Sequence, residues 1–175
     1  MDANPMVRPQ IYTGPLVATT TVAAFLLIVA AVIVIFGWPP LRGAWIFLAV
    51  TVAAGALLAW GWSKRLHQRA LWDQFATRQW DYMARAKEEH ETTTEITVLG
   101  FQESHPTGAW ATIRWEKFGY VQPAWIANGS FPIWPATVLL IRPDPAQIMV
   151  GYPWPATYYI GPHDCLAVAP ATTKT

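Results

Sequence analysis

Between Pro9 and Ser63 the chain carries one charged residue, Arg42, and nearly every other position is apolar, small or hydroxylated. The run divides at Gly37-Trp38-Pro39-Pro40-Leu41-Arg42-Gly43, because two consecutive prolines cannot continue a helix. Leu16–Trp38 then holds 23 residues without a charge and Ala44–Trp62 holds 19. About 20 apolar residues suffice for a helix to cross the hydrocarbon of a bilayer. The pattern predicts a two-helix transmembrane hairpin over residues 12–62, with spans near 16–38 and 44–62, after a short N-terminal segment 1–11. A cleavable leader is disfavoured, since the apolar run is too long and its flank sets Arg8 against Asp2. A chain of 175 residues also has too little other mass to cover two helices that are apolar all round.

The edges of the spans fit a membrane interface. Trp38 and Trp45 flank the turn, Trp60 and Trp62 close the second span, and Tyr12 precedes the first. Lys64, Arg65 and Arg69 follow directly, against Arg42 alone in the turn. The positive-inside rule therefore places residue 64 onward, and with a hairpin the N-terminus too, in the cytoplasm. The expected location is a bacterial inner membrane, in a host with alanine- and proline-rich proteins. Ala49/Ala53 and Gly55/Ala59 have the spacing that lets helices approach closely. They serve either packing within the hairpin, the simpler expectation, or a seam between copies.

Polar periodicity returns after the spans. Residues 63–91 lack Gly and Pro, and Leu71, Trp72, Phe75, Ala76, Trp80 and Met83 recur at three- and four-residue steps. This predicts an amphipathic juxtamembrane helix whose apolar stripe packs on the following domain, the first expectation, pairs with the same helix of another subunit, or lies on the membrane surface. Thr92-Thr93-Thr94 ends it, and residues 92–170 read as strands and turns. The strand candidates are 94–101, 109–115, 138–142, 147–152 and 165–168, with Val138–Arg142 and Gln147–Gly151 joined as a hairpin through Pro143-Asp144-Pro145. Their number and size suggest a small antiparallel β barrel or roll, similar in size to SH3-like and OB-like modules. Residues 171–175 form a tail. Gln122-Pro123-Ala124-Trp125, Phe131-Pro132-Ile133-Trp134-Pro135 and Tyr152-Pro153-Trp154-Pro155 read as loops or edges, because proline denies a ladder its N–H.

Composition narrows the chemistry. The chain is 53% hydrophobic and 13% charged, with a net charge of +1. From residue 91 onward there are four basic and six acidic side chains, a poor match for a phosphate-tracking groove, so nucleic acid is not an expected partner. Cys165 is the only cysteine, which excludes an intramolecular disulfide. His163-Asp164-Cys165 is the one cluster resembling a nucleophilic constellation, but Leu-Ala-Val follows it, as in a buried strand. His67, His90, His105 and His163 lack metal-ligand spacing, and no glycine-rich phosphate loop occurs. Asn128-Gly129-Ser130 matches a glycosylation sequon, and on the cytoplasmic side it is read as a turn.

No catalytic residue, metal, cofactor or small-molecule substrate is therefore expected. The reading is a non-enzymatic membrane-anchored scaffold or accessory subunit of a larger bacterial assembly, of secretion, conjugation or respiratory type. Its partners are the lipid bilayer and other subunits or further copies of itself. Pro132, Trp134, Pro135, Pro153, Trp154 and Pro155 are expected to form one rigid apolar docking surface. The alternative is an oligomeric pore or holin-like protein assembled through the second helix.

Overall fold

The computed structural model describes residues 4–36, 42–129, 131–148 and 153–171. They fall into two units: Pro9–Trp72, and a second made of the segment up to Arg8 together with the chain from Asp73 onward.

The first unit is helical. Helix α1 spans Gly14–Phe36 and helix α2 spans Arg42–Glu89; the expected turn at 37–41 lies outside the described residues. Both helices are long and apolar enough to cross a membrane. In α1 the shielded positions follow Leu16, Thr20, Ala23, Leu27, Ala30 and Val34, with Val29 beside the row; in α2 up to Arg65 they follow Leu48, Thr51, Gly55, Leu58, Trp62 and Arg65, with Gly61 beside it. Steps of three and four alternate in both, which is the seam of two helices in coiled-coil-like contact. Trp62 Nε1 donates to Thr20 Oγ1 at 2.9 Å, and a Cβ on Gly55 would meet Leu27 Cδ1 at 3.3 Å. The seven-residue step from Thr20 to Leu27 thus matches the step back from Trp62 to Gly55, as an antiparallel pair requires. Arg65 Nη1 donates to Ile11 O and Thr13 Oγ1, and Tyr12 meets the Trp62 ring edge-on at 5.7 Å.

Of the four small residues expected to pack the hairpin, Gly55 alone does so. Ala49, Ala53 and Ala59 are exposed. The seam takes the stripe that carries Leu48 and Leu58 instead, because larger side chains bury more apolar area.

The juxtamembrane helix expected over 63–91 is not a separate element; it continues α2 without a break to Glu89. Good helix formers follow Gly61, and one glycine costs only about 1 kcal/mol in a helix interior. The stripe becomes buried late. Leu71 is exposed, whereas Ala76, Met83 and Ala86 are covered.

The second unit is built on a six-stranded sheet. Its strands are β1 (Thr94–His105), β2 (Gly108–Trp115), β3 (Val121–Ala127), β4 (Thr137–Ile141), β5 (Tyr158–Ile160) and β6 (Cys165–Pro170), in the order β5-β3-β2-β1-β4-β6. The expected small antiparallel barrel or roll is corrected on two counts. β5 runs parallel to β3, so the sheet is mixed. The sheet also has two edges, β5 and β6, and is a curled half-barrel rather than a closed one. Those edge strands are consecutive in sequence, joined by Gly161–Asp164. Five Cα steps reach at most about 18 Å, so the link draws the edges toward each other and curls the sheet. Gln147 occupies the β5 edge: its Nε2 donates to Tyr159 O at 2.9 Å, and its Oε1 accepts from Tyr159 N at 2.8 Å. One side-chain amide does there what another strand's peptide would do.

The same residue explains why the expected hairpin of 138–142 with 147–151 does not form. β4 pairs with β1 and β6. Asp144 O accepts from Gln147 N and Ile148 N, and Asp144 Oδ1 accepts from Ala146 N, winding the segment into a turn. Residues 149–152 lie outside the described residues. A further correction concerns Gln122-Pro123-Ala124-Trp125, which lies inside β3 rather than in a loop. Pro123 is tolerated because it faces Thr112 of β2, while pairing with β5 starts only at Ala124.

Alternation along the strands creates two cores. Ile96, Val98, Ile113, Trp115, Ile126, Leu139 and Tyr158 fill the concave side. Val138, Leu140, Ala167 and Ala169 face the other way and are covered by Met83 and Ala86 of α2. Trp80 joins them, with Nε1 donating to Pro170 O at 3.2 Å. The N-terminal segment belongs to the same unit. Met6 is 4% exposed within the concave core, Asn4 Nδ2 donates to Pro135 O at 2.7 Å, and Arg8 pairs with Asp73 at 3.1 Å.

Candidate functional site

The six residues expected to form one docking surface occupy two places. Phe131–Pro135 runs without regular structure into β4. There Pro132 is exposed, while Trp134 and Pro135 are half-buried and Trp134 packs on the concave core. Pro132, Trp134 and Pro135 help line an open groove of ≈ 720 Å³, together with Phe101 and Ser104 of β1, Ile126, Phe131 and Ile133. Among the described residues no lining side chain is charged.

Pro153, Trp154 and Pro155 lie elsewhere. Trp154 meets Trp115 at 5.1 Å, Phe118 at 5.4 Å and Tyr120 at 5.6 Å, none of which lines that groove. Below it, Trp115 is fully buried and stands edge-on to Tyr158 at 5.0 Å. With the Gln122 amide turned to satisfy both its neighbours, its oxygen accepts from Trp115 Nε1 at 2.9 Å and its nitrogen donates to Pro155 O at 3.1 Å. Only Pro153 of this trio is exposed. A third aromatic group lies on the outer face, where Trp110 and Trp125 face each other across β2 and β3 with centroids 5.1 Å apart and Tyr159 extends the row.

Sequence reasoning gave no site role to Phe101, Ser104, Gln122 or Gln147. Their roles depend on strand register, which no local pattern reveals. A second groove of ≈ 800 Å³ includes Lys87, Glu95, Arg114, Glu116 and Lys117 in its lining. Four of its charges meet in pairs, Lys87 with Glu95 at 2.8 Å and Arg114 with Glu116 at 2.9 Å, and Lys117 Nζ lies 5.8 Å from the centroid of the Phe118 ring. Among the described residues no three His, Cys, Asp or Glu side chains gather to hold a metal.

Of the interface residues, Trp38 lies outside the described residues. Trp45, Trp60 and Lys64 are exposed, Trp62 and Arg65 hold the base of the hairpin as described, and Arg69 is half-buried.

The His163-Asp164-Cys165 cluster is not arranged for nucleophilic chemistry. His163 is exposed, Asp164 Oδ2 accepts from Gly161 N at 2.7 Å, and Cys165 Sγ faces Ala167 O of its own strand at 3.7 Å. Burial pushes the Cys165 thiol up to about 12, far from the thiolate a nucleophile needs. Burial likewise raises the Tyr158 phenol, against the Asp144 N–H that donates to its oxygen. The hydrogen bonds from Gln147 and Ala146 hold the Asp144 carboxyl below its ordinary value.

A thiol raised in the fold stabilises it fully below the unfolded-state value, and that contribution is lost as pH rises toward the folded-state value. The native protein is therefore expected to lose stability between about pH 9 and pH 12 more steeply than Cys165→Ala does, in chemical unfolding followed at each pH. At pH 8 iodoacetamide should label Cys165 only after unfolding. Rapid labelling of the folded protein would contradict the burial argument.

Comparison with protein-family models, with curated proteins and with solved structures finds no match to this chain.

Proposed function

We propose that the protein is a membrane-anchored, non-enzymatic scaffold or accessory subunit of a larger bacterial membrane assembly. Its hairpin spans the inner membrane, and it presents the half-barrel in the cytoplasm. One observation carries the reading. Off the seam, α1 and α2 leave large apolar side chains uncovered, among them Phe25, Ile28, Ile35, Ile46, Val50, Leu57 and Trp60. Water would not tolerate so large an apolar surface, and acyl chains would cover it.

A second observation agrees with two crossings. The segments before and after the hairpin, up to Arg8 and from Asp73, fold as one unit and share a core through Met6. A chain that leaves this unit at Pro9 and re-enters it at Asp73 crosses an even number of times. Lys64, Arg65 and Arg69 favour the cytoplasmic side for it.

The pore reading has its own support in the exposed small-residue face of Ala49, Ala53 and Ala59, which the hairpin leaves free for neighbouring helices. Purification of the full chain in mild detergent separates the two. A scaffold co-purifies with other membrane-protein subunits in fixed ratio, and liposomes containing it alone stay ion-tight. Ion leakage from those liposomes favours the pore, and a chain that never enters the membrane fraction sinks both.

A further inference from the structure

β1 is the longest strand, at 12 residues, and β4 covers less than half of it. The β1–β4 ladder runs from Thr94 opposite Ile141 to Val98 opposite Thr137 and stops. Beyond it, Gly100, Phe101, Glu103, Ser104 and His105 pair with β2 on one side only in the described sheet, Leu99 and Gln102 fall at register shifts, and of residues 99–105 all but Gly100 are exposed. In an antiparallel ladder, alternate residues of this stretch turn their N–H and C=O away from β2.

The stop has a local cause. Ala136, just before β4, sits at φ 64 and donates its N–H to Val98 O at 2.8 Å. That left-handed turn takes Phe131–Pro135 off the line the ladder would have followed. The left-handed region is unfavourable for an alanine, and strain kept at such a junction is characteristic of places that bind or switch.

The free edge adjoins the uncharged groove. Phe101 and Ser104 of the edge and Phe131, Ile133 and Trp134 beyond it line the same cavity. On the other face Glu103 projects, its side chain 66% exposed and 3.2 Å from His105 Nε2. β5 offers no such edge, because the Gln147 amide occupies it. Two bulges, between Val98 and Gly100 and between Phe101 and Glu103, coil this end of β1. They hinder a flat second sheet from stacking edge to edge.

We propose that residues 99–105 of β1 accept an extended segment of a partner protein as an added antiparallel strand continuing the line of β4. Alternate side chains of that segment are apolar, entering the groove, and basic, facing Glu103. Main-chain hydrogen bonds supply the affinity and the alternation supplies the specificity. The site gives the scaffold its docking point and rests on that reading for a natural partner, but strand recognition is testable without one.

The probe is a seven-residue amide of alternating lysine and valine, offered to the full-length protein in detergent micelles. Two further versions carry N-methyl groups on every second peptide nitrogen, on the valines in one and on the lysines in the other. The unmodified peptide and one methylated version should bind and slow amide hydrogen exchange at residues 99–105 by tenfold or more. The other methylated version should not, since only edge-on recognition depends on which N–H groups are blocked. Phe101→Lys and Glu103→Lys should each weaken binding at least tenfold with the melting temperature unchanged. Should Phe101→Lys fail to fold, the more exposed Glu103 position decides alone. Equal binding of the two methylated peptides, protection at β5 or β6 instead, or no binding overturns the proposal. So does a free protein that is already dimeric with these amides protected, because a second copy then holds the edge. None of these results bears on membrane insertion, which fractionation reads separately.

Discussion

Trp115→Ala is expected to lower the stability of the half-barrel by about 4 kcal/mol, the largest single loss in this unit. Trp115 is fully buried, and its ring holds Trp154 and Tyr158 edge-on at 5.1 and 5.0 Å with interplanar angles of 72° and 82°. Truncation leaves a cavity too large for those neighbours to fill, and it removes the indole N–H from the Gln122 amide. A domain of this size is stable by only about 5–15 kcal/mol. The loss should therefore appear as a fall of roughly 20 °C in melting temperature, with loss of near-ultraviolet circular dichroism. Trp154→Ala should cost clearly less, since that ring is half-buried and keeps one side toward solvent. If Trp115→Ala melts with the native protein, the concave aromatic cluster is not what holds the curl.

The second large effect concerns the hairpin. Ile28 and Leu57 are 63% and 67% exposed and lie away from the α1–α2 seam. Arginine at both positions leaves the packing of the seam in place. In a water-soluble protein such a double substitution would be harmless and would improve solubility. In a bilayer each arginine near the middle of a span costs about 3 kcal/mol on an insertion scale, so the pair costs about 6 kcal/mol. Ile28→Arg/Leu57→Arg is expected to abolish carbonate-resistant membrane association of the full-length protein, while Ala49→Ser leaves it intact. Improved solubility with unchanged folding would remove the membrane anchor and the scaffold reading together.

The two units differ in how much of them local pattern could specify. The near-absence of charge from Pro9 to Ser63, broken only by Arg42, and the Pro39-Pro40 break state two long apolar helices, because helix formation is local and its length is set by what interrupts it. Continuity of α2 past Trp62 was equally written there, in 27 residues from Ser63 to Glu89 without Gly or Pro, although the change in polarity invites a boundary. The face of the hairpin that would close was not written. Small residues at four-residue spacing and larger ones at alternating three- and four-residue spacing compete for the same partner, and burial of Leu48, Leu58 and Leu27 decides it.

In the half-barrel, alternation and β-branched residues marked β2, β4 and β6 near their observed limits and the start of β1, which runs four residues past the expected end at Phe101. Strand pairing could not be read, because a ladder joins residues far apart in sequence and every strand presents the same main-chain groups. The Pro143-Asp144-Pro145 turn looked like the tip of a hairpin until Asp144 and Gln147 bound each other and the Gln147 amide took the β5 edge. Pro123 argued against β3, and only the late start of β5 makes it admissible there. The docking candidates divide the same way. Sequence placed Trp134 and Trp154 beside prolines, but register and curl set them in separate places, and the overhang of β1 beyond β4 exists only once Ala136 has turned the chain aside. Local sequence determined the elements and the apolar surface of the hairpin, since both follow from near neighbours. Tertiary structure alone decided the seam, the mixed sheet and its free edge, since each depends on which distant groups compete for the same hydrogen bonds and the same buried area.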